Sequence, residues 1–289
     1  MNNINEIQRF SFDHTNVRGE RVLLTDAYQN IISRKSYPES LEKLLGEFTA
    51  AIALLRDIIK IDGVLSIQCK GNGPLQTLMT ECDEKQNLRG IAQWDQEQEF
   101  PATVSLKELL EGGYLVITIT PRNGQRYQGI VEIVGDSLAE CLEQYFMQSE
   151  QLPSRVWLAS NGVQAGGLFL QRLPAEQAQE GDEDAWERFV HLASTVKDEE
   201  LFDLDTATLL HRLYHEEELR LYDAKTMQFG CSCTRQRTLD AIISMGAEEV
   251  REILSEQGAI NVECQFCAES YSFLKEDLDD YLGDQAHTH

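Results

Sequence analysis

The sequence predicts an α+β protein: a mixed sheet-and-helix core domain, then a helical linker, then a small C-terminal module held by cysteines. Three observations carry this. Apolar residues recur at helical spacing in a long stretch after Pro38. Five later runs are rich in β-branched residues and are bounded by turn signals. Four of the chain's seven cysteines are gathered between Cys231 and Cys267.

The first helix is expected to begin after Pro38, with Ser40 as its N-cap. Leu41, Leu44, Leu45, Phe48, Ile52, Leu55 and Ile59 then fall on one stripe. The same stretch is interrupted by Glu42, Lys43, Glu47, Arg56 and Asp57, so it reads as amphipathic and not as a membrane span. Strand-like runs follow in "GVLSIQCKG", "LRGIAQW", "GYLVITITP", "RYQGIVEIVG" and "GLFLQRL", with turns expected at Asn72-Gly73 and Asn123-Gly124. A second helix starts at "GDSLAE", capped by Asp136 or Ser137. Ser137 and Glu140 stand at capping-box spacing, and Leu138, Cys141, Leu142 and Tyr145 form the buried stripe. These elements make up a core domain over 1–175.

Composition changes after Pro174. Over 175–210 there are 11 acids against two bases, Arg188 and Lys197. Trp186, Phe189, Val190 and Val196, then Leu209, Leu210, Leu213 and Tyr214, keep helical spacing. Short amphipathic helices with so little apolar area are unstable alone and fold only by docking on a neighbouring surface. The expected linker spans 176–225. The "EGDEDAWE" acids read as a solvated face. Trp186, Phe189, Val190 and Val196 read as core contacts in the folded linker, which become exposed apolar surface once it unfolds.

The last domain, 226–289, is too short to be comfortable without a staple, because fewer than 70 residues rarely supply more than about 3–5 kcal/mol from core burial. Its staple is a C-x-C pair, Cys231 and Cys233, and a C-x-x-C pair, Cys264 and Cys267. Two close-spaced pairs joined by a helical insert suit a four-thiolate zinc site. "LDAIISM" and "AEEVREILSEQG" supply the insert, with Val250, Ile253 and Leu254 facing inward and Gly258 terminating the second helix. Each pair can also close on itself as a local disulfide, and a Cys231–Cys233 ring would be strained and labile. The spacing leaves a static and a switchable site both open. Cys69 and Cys141 read as small core residues, whereas Cys82, before "DEKQN", reads as exposed.

The bulk numbers exclude several classes. Across 289 residues, 49 acids face 25 bases for a formal charge of −24, which repels phosphate backbones and disfavours nucleic-acid binding. The N-terminal stretch has no apolar run of the secretory kind, and the expectation is a cytoplasmic chain with no membrane partner, in a reducing compartment where stable disulfides are rare. No enzymatic motif is found: "HRLYH" has Arg212 where a metalloprotease needs Glu, so His211 and His215 read as ordinary helix residues. "GNGP" is a turn and not a phosphate loop, and no G-x-S-x-G elbow occurs. A constitutive zinc-stabilised adaptor and, less favoured, a thiol-disulfide oxidoreductase using Cys264 and Cys267 remain as other classes.

Several long motifs occur in a fixed order: "VRGE", "LQTLMTECDEKQNLRGIA", "GYLVITITPRNGQRYQGIV", "GDSLAECLEQYFMQSEQLPSR", "AGGLFLQRLP", "LLHRLYHEEE", then C-x-C, insert and C-x-x-C. In these the chain resembles, over essentially its whole length, the heat shock protein 33 family of redox-regulated bacterial chaperones. The resemblance implies a reduced, inactive form holding one Zn²⁺ through Cys231, Cys233, Cys264 and Cys267. It implies Cys231–Cys233 and Cys264–Cys267 disulfides after oxidation by hypochlorite, or by peroxide under unfolding conditions, with zinc released and the linker unfolded. The activated form would bind unfolding client proteins without ATP and associate into a homodimer. Trp186, Phe189, Val190 and Val196 are then candidate client-binding or linker-docking residues, with the N-terminal domain as the alternative source of the surface.

Overall fold

The computed structural model describes residues 4–97, 99–102, 105–133, 135–174 and 184–284. The first part of the linker, the acids at 180–183 and the C-terminal "HTH" lie outside them. The chain divides into two compact units, Met1–Gly230 and Cys231–His289.

The first unit is built from two sheets. One has the order β10-β1-β2-β9-β8, from β1 (Asn5–Phe12), β2 (Val17–Leu24), β8 (Ser154–Ser160), β9 (Ala165–Arg172) and β10 (Leu219–Leu221), all antiparallel, with β11 (Lys225–Thr226) also on β1. The other has the order β12-β5-β4-β3-β6-β7, from β3 (Gly63–Lys70), β4 (Leu75–Cys82), β5 (Asn87–Trp94), β6 (Tyr114–Pro121), β7 (Tyr127–Glu132) and β12 (Gln228–Phe229). Its pairings are antiparallel except for β12 on β5. The five strand-like runs correspond to β3, β5, β6, β7 and β9. Residues 219–229 stitch the two sheets, since β10 and β11 extend one and β12 the other.

Helix α2 (Glu39–Ile59) follows the short α1 (Asp26–Ile32) and runs between the sheets, touching β2, β8 and β9 on one side and β3, β4 and β5 on the other. It is therefore buried almost all round and not on a single stripe: Ala50, Ala51, Ala53 and Leu54 are as inaccessible as Leu41, Phe48 and Ile52. Small residues make this possible. A Cβ on Gly46 would lie 2.2 Å from Ser160 Oγ. Arg56 and Asp57, which interrupt the apolar pattern, are buried and bonded: Arg56 Nε donates to the Asp83 carbonyl, and Asp57 meets Arg9 at 2.8 Å and also Lys225. Ser40 is not the N-cap. Pro38 holds that position with φ −59, and Ser40, already inside the first turn, donates its hydroxyl to the Pro101 carbonyl at 2.7 Å.

Two shorter helices follow, α3 (Leu106–Leu110) and α4 (Leu138–Tyr145). The α4 cap is the expected capping box: Ser137 Oγ accepts from Glu140 N–H, and the Glu140 carboxylate accepts from Ser137 N–H. Such a cap contributes about 1 kcal/mol. Cys69 and Cys141 are core residues, as expected. Cys82 is not exposed. It closes β4 opposite Leu65 and Leu88 and is completely buried, because the strand's period of two turns it toward α2 and not into the polar turn that follows.

The acidic stretch folds as α5 (Ala185–Ala193), α6 (Asp198–Asp203) and α7 (Thr206–Tyr214). These pack on the sheet face opposite α2, and the alternation along the strands shows it. Val22, Leu24 and Phe169 point into the α2 core, whereas Leu23, Leu168 and Leu170 join the core beneath α5–α7. With both faces covered, β2 and β9 are buried almost continuously.

The second unit contains α8 (Arg235–Ser244), α9 (Ala247–Gln257), a hairpin of β13 (Ile260–Glu263) and β14 (Ser270–Phe273), and α10 (Asp279–Asp284). Ile242, Val250, Ile260, Phe273 and Leu278 form its buried core, with Ile253 and Leu254 packed against it. Gly258, at φ +77, ends α9 by donating its N–H to Leu254 O. No helix among the described residues is long and apolar enough to cross a membrane.

Candidate metal centre

Local structure brings the two cysteine pairs together. Cys231 and Cys233 lie in the extended segment before α8. Thr234 ends that segment as the N-cap, its hydroxyl accepting from Arg237 N–H, and Arg237 Nη1 donates to the Ser232 carbonyl at 2.9 Å and hydroxyl at 2.8 Å. One arginine thus fixes the loop between the two sulfurs. Cys264 and Cys267 form the turn between β13 and β14. Cys264 N–H donates to Glu269 O and its carbonyl accepts from Ala268 N–H, with Ala268 in the left-handed region at φ +59.

The four sulfurs lie within 4.8 Å of one another, with Cys231–Cys264 at 3.7 Å and Cys233–Cys267 at 3.3 Å. None of the four is joined in a disulfide. A bonded pair would stand at about 2.05 Å. A tetrahedral ion with Zn–S bonds of about 2.3 Å needs sulfur–sulfur edges of about 3.8 Å. The donor set and its spacing fit such an ion. Burial pushes the Cys233 and Cys267 thiols up, so bare they keep their protons, whereas a divalent ion would take them as thiolates outright. Tyr271 on β14 donates its hydroxyl to Cys233 Sγ at 3.4 Å. Cys69, Cys82 and Cys141 take no part: they belong to the first unit, and burial pushes all three thiols up, Cys69 to about 12.

A second feature lies in the first unit, where α5–α7 cover the apolar sheet face. Phe189 is fully buried and stacks on Phe12 with ring centroids 3.8 Å apart, while Tyr214 meets Phe12 edge-on at 4.9 Å and donates its hydroxyl to the Phe189 carbonyl. Trp186, Val190 and Val196 are half-buried around them. Sequence reasoning missed Arg21. This residue is fully buried on β2, and its Nη2 donates to the carbonyls of Leu201 at 2.8 Å and Leu204 at 2.7 Å, so one guanidinium holds the turn between α6 and α7. The signal was an arginine among the apolar residues of "RVLL". His211 and His215 are exposed, and among the described residues the only clustered set of metal-ligating groups is the four cysteines.

The fold matches the solved 33 kDa chaperonin (heat shock protein 33 homolog) of Thermotoga maritima, with a TM-score of 0.81 at 20% identity, covering 98% of this chain and 99% of that one. The 33 kDa chaperonin of Ectopseudomonas mendocina is 47% identical over 274 residues, 94% of this chain and 92% of its own. That of Shewanella loihica is 46% identical over 273 residues, 94% of each. The chain belongs to the Hsp33 protein family, whose sequence pattern matches residues 5–274. It is therefore a chaperone of a heat-shock family.

Proposed function

We propose that this chaperone is a redox-regulated holdase of the cytoplasm, acting stoichiometrically and without ATP. The observation that carries the reading is the cluster of four thiols within 4.8 Å in a unit whose buried core, among the described residues, is five side chains. In the reduced form Cys231, Cys233, Cys264 and Cys267 hold one Zn²⁺. Structural zinc contributes roughly 10–16 kcal/mol to such modules, comparable with the whole stability of a domain. Oxidation to Cys231–Cys233 and Cys264–Cys267 disulfides removes the ligands, and the module 226–289 loses its fold with the metal. The chain passes from Cys231 directly to Gly230, whose N–H donates to Leu88 O, and back through the short strands β12, β11 and β10 to the docked helices of the linker 176–225.

Loss of the docked helices would uncover Phe10, Phe12 and Leu23 on the core domain 1–175 and free Trp186, Phe189, Val190 and Val196. With about 150–250 Å² for each aromatic, the surface released is on the order of 1,000 Å². Apolar patches above a few hundred Å² are binding surfaces, here for unfolded client proteins and for a second copy in the activated homodimer. The net charge of −24 keeps such a species soluble.

The test is light scattering from a chemically unfolded client diluted into reduced, zinc-loaded protein or into peroxide-oxidised protein, with zinc counted in both. Suppression by the oxidised form alone, with loss of one zinc per chain, is the expected result. Equal behaviour with zinc retained would make the protein a constitutive zinc-stapled adaptor, and catalytic turnover with a dithiol reductant would make it an oxidoreductase.

A further inference from the structure

We infer that Tyr271 sets how readily the cysteine cluster is oxidised, by donating a hydrogen bond to Cys233 Sγ that restrains this sulfur as a nucleophile and ties the C-x-x-C hairpin to the C-x-C loop. The inference rests on the proposed redox reading and names a residue that tunes it.

The geometry is asymmetric. Tyr271 lies four residues beyond Cys267, on the strand that carries the C-x-x-C turn, and pairs with Val262 across the hairpin. Its hydroxyl does not serve a sulfur of its own pair. It crosses to Cys233, 3.4 Å away, in the segment before α8. Cys267 receives a backbone N–H, that of Glu269. A backbone donor is fixed by the turn, whereas a side-chain hydroxyl is a setting that the sequence can change. The Tyr271 ring also packs against the small core, so ring and hydroxyl have separable roles.

The chemistry gives the sign. A thiolate attacking a peroxide loses negative charge at sulfur, so a donor that stabilises the charge favours the ground state over the transition state. Cys233 sulfur attacks one peroxide oxygen and the O–O bond breaks, giving a sulfenic acid and hydroxide. Cys231 thiolate then displaces the second hydroxide. Two thiolates and one peroxide become one disulfide and two hydroxides, and the metal loses two ligands. Such a bond is worth up to about a factor of ten, of which a fraction is lost in the transition state. Hydrogen-bonding partners around a metal's ligands typically tune affinity by tenfold or more.

The variant is Tyr271→Phe in the full chain, which removes the hydroxyl and keeps the ring. Peroxide-driven zinc release is followed with a chromogenic chelator, disulfides are assigned to each pair by mass spectrometry, and zinc affinity is measured by competition. The expected result is zinc release about three- to fivefold faster, with the gain concentrated in Cys231–Cys233 formation, and zinc affinity lowered by up to about tenfold. Unchanged rates, or equal acceleration of both pairs with a lower melting temperature of the module, would overturn the inference and leave Tyr271 a packing residue. If the unaltered protein releases no zinc on oxidation, the proposed function fails instead. The affinity comparison then decides the hydrogen bond, and an unchanged affinity sinks it.

Discussion

Replacing Phe189 with alanine should loosen the docked helices without touching the cysteines. The side chain is fully buried, lies 3.8 Å from the Phe12 ring, and anchors α5 at the centre of the apolar layer on the sheet. Phe→Ala in a core costs about 3–5 kcal/mol. The loss falls mainly on the docking of α5–α7 and not on global stability, because Phe189 contributes to the layer outside the sheet and not to the α2 core. At about 1.4 kcal/mol per tenfold, the undocked population rises by roughly two to four orders of magnitude. Native-state hydrogen exchange on the reduced, zinc-loaded protein reads this directly. Amides bonded within the docked helices, such as Ser194 N–H on Val190 O and Leu209 N–H on Asp205 O, should lose protection, while those of β3 to β6 keep theirs. The reduced variant should also suppress client aggregation in part, where Glu187→Ala, exposed on the same helix, should not. Unchanged protection across 185–214, or equal loss in both sheets, would refute the view that these helices are a separately releasable layer.

A chelator with a thiol reductant should abolish the cooperative thermal transition of the second unit and leave that of the first in place, as calorimetry would show. A surviving second transition would mean that its small apolar core suffices without a metal. Alkylation of native, metal-free reduced protein should modify Cys231, Cys233, Cys264 and Cys267, and spare Cys69, Cys82 and Cys141 until denaturant is added; early modification of Cys82 would contradict its burial. Glu20, buried beside Arg9, Arg18 and Asp57, has its carboxyl pushed up to about 8 by burial first and by Asp57 second, despite its 2.6 Å contact with Arg9. A carboxyl with a raised folded-state value holds its proton after the unfolded chain has lost it, so its contribution to stability is full below about 4.5 and falls as pH rises toward 8. Glu20→Gln should flatten the melting temperature over that window; an unchanged slope would place the titration elsewhere.

Where local chemistry decides, the sequence was readable. The Ser137–Glu140 box, the turn glycines, the Gly258 terminator and the β-branched runs all reappear, because each depends on residues a few positions apart. What long-range packing decides was not. The charges in α2 signalled a polar face, yet Arg56 and Asp57 are buried, because their partners, Asp83, Arg9 and Lys225, come from distant segments. Cys82 looked exposed from its polar neighbours, but its strand parity prevails. Residues 219–229 are too short and too polar to announce strands, and pair only because two sheet edges are there to receive them. At the site, the spacing of the four cysteines was legible. Tyr271 and Arg21 were not, since a hydroxyl on a sulfur and a guanidinium on two carbonyls leave no pattern along the chain.

The enclosure of α2 between two sheets bears on the protein's own synthesis. The first sheet joins β1 and β2, at residues 5–24, to β8 and β9, at 154–172. A nascent chain therefore carries a helix destined for burial on nearly every side for more than a hundred residues before one of its walls is complete. Such long-range closure is slow and leaves apolar surface open to other chains while the ribosome works. This chaperone is thus itself, for the first half of its making, a chain of the sort it protects.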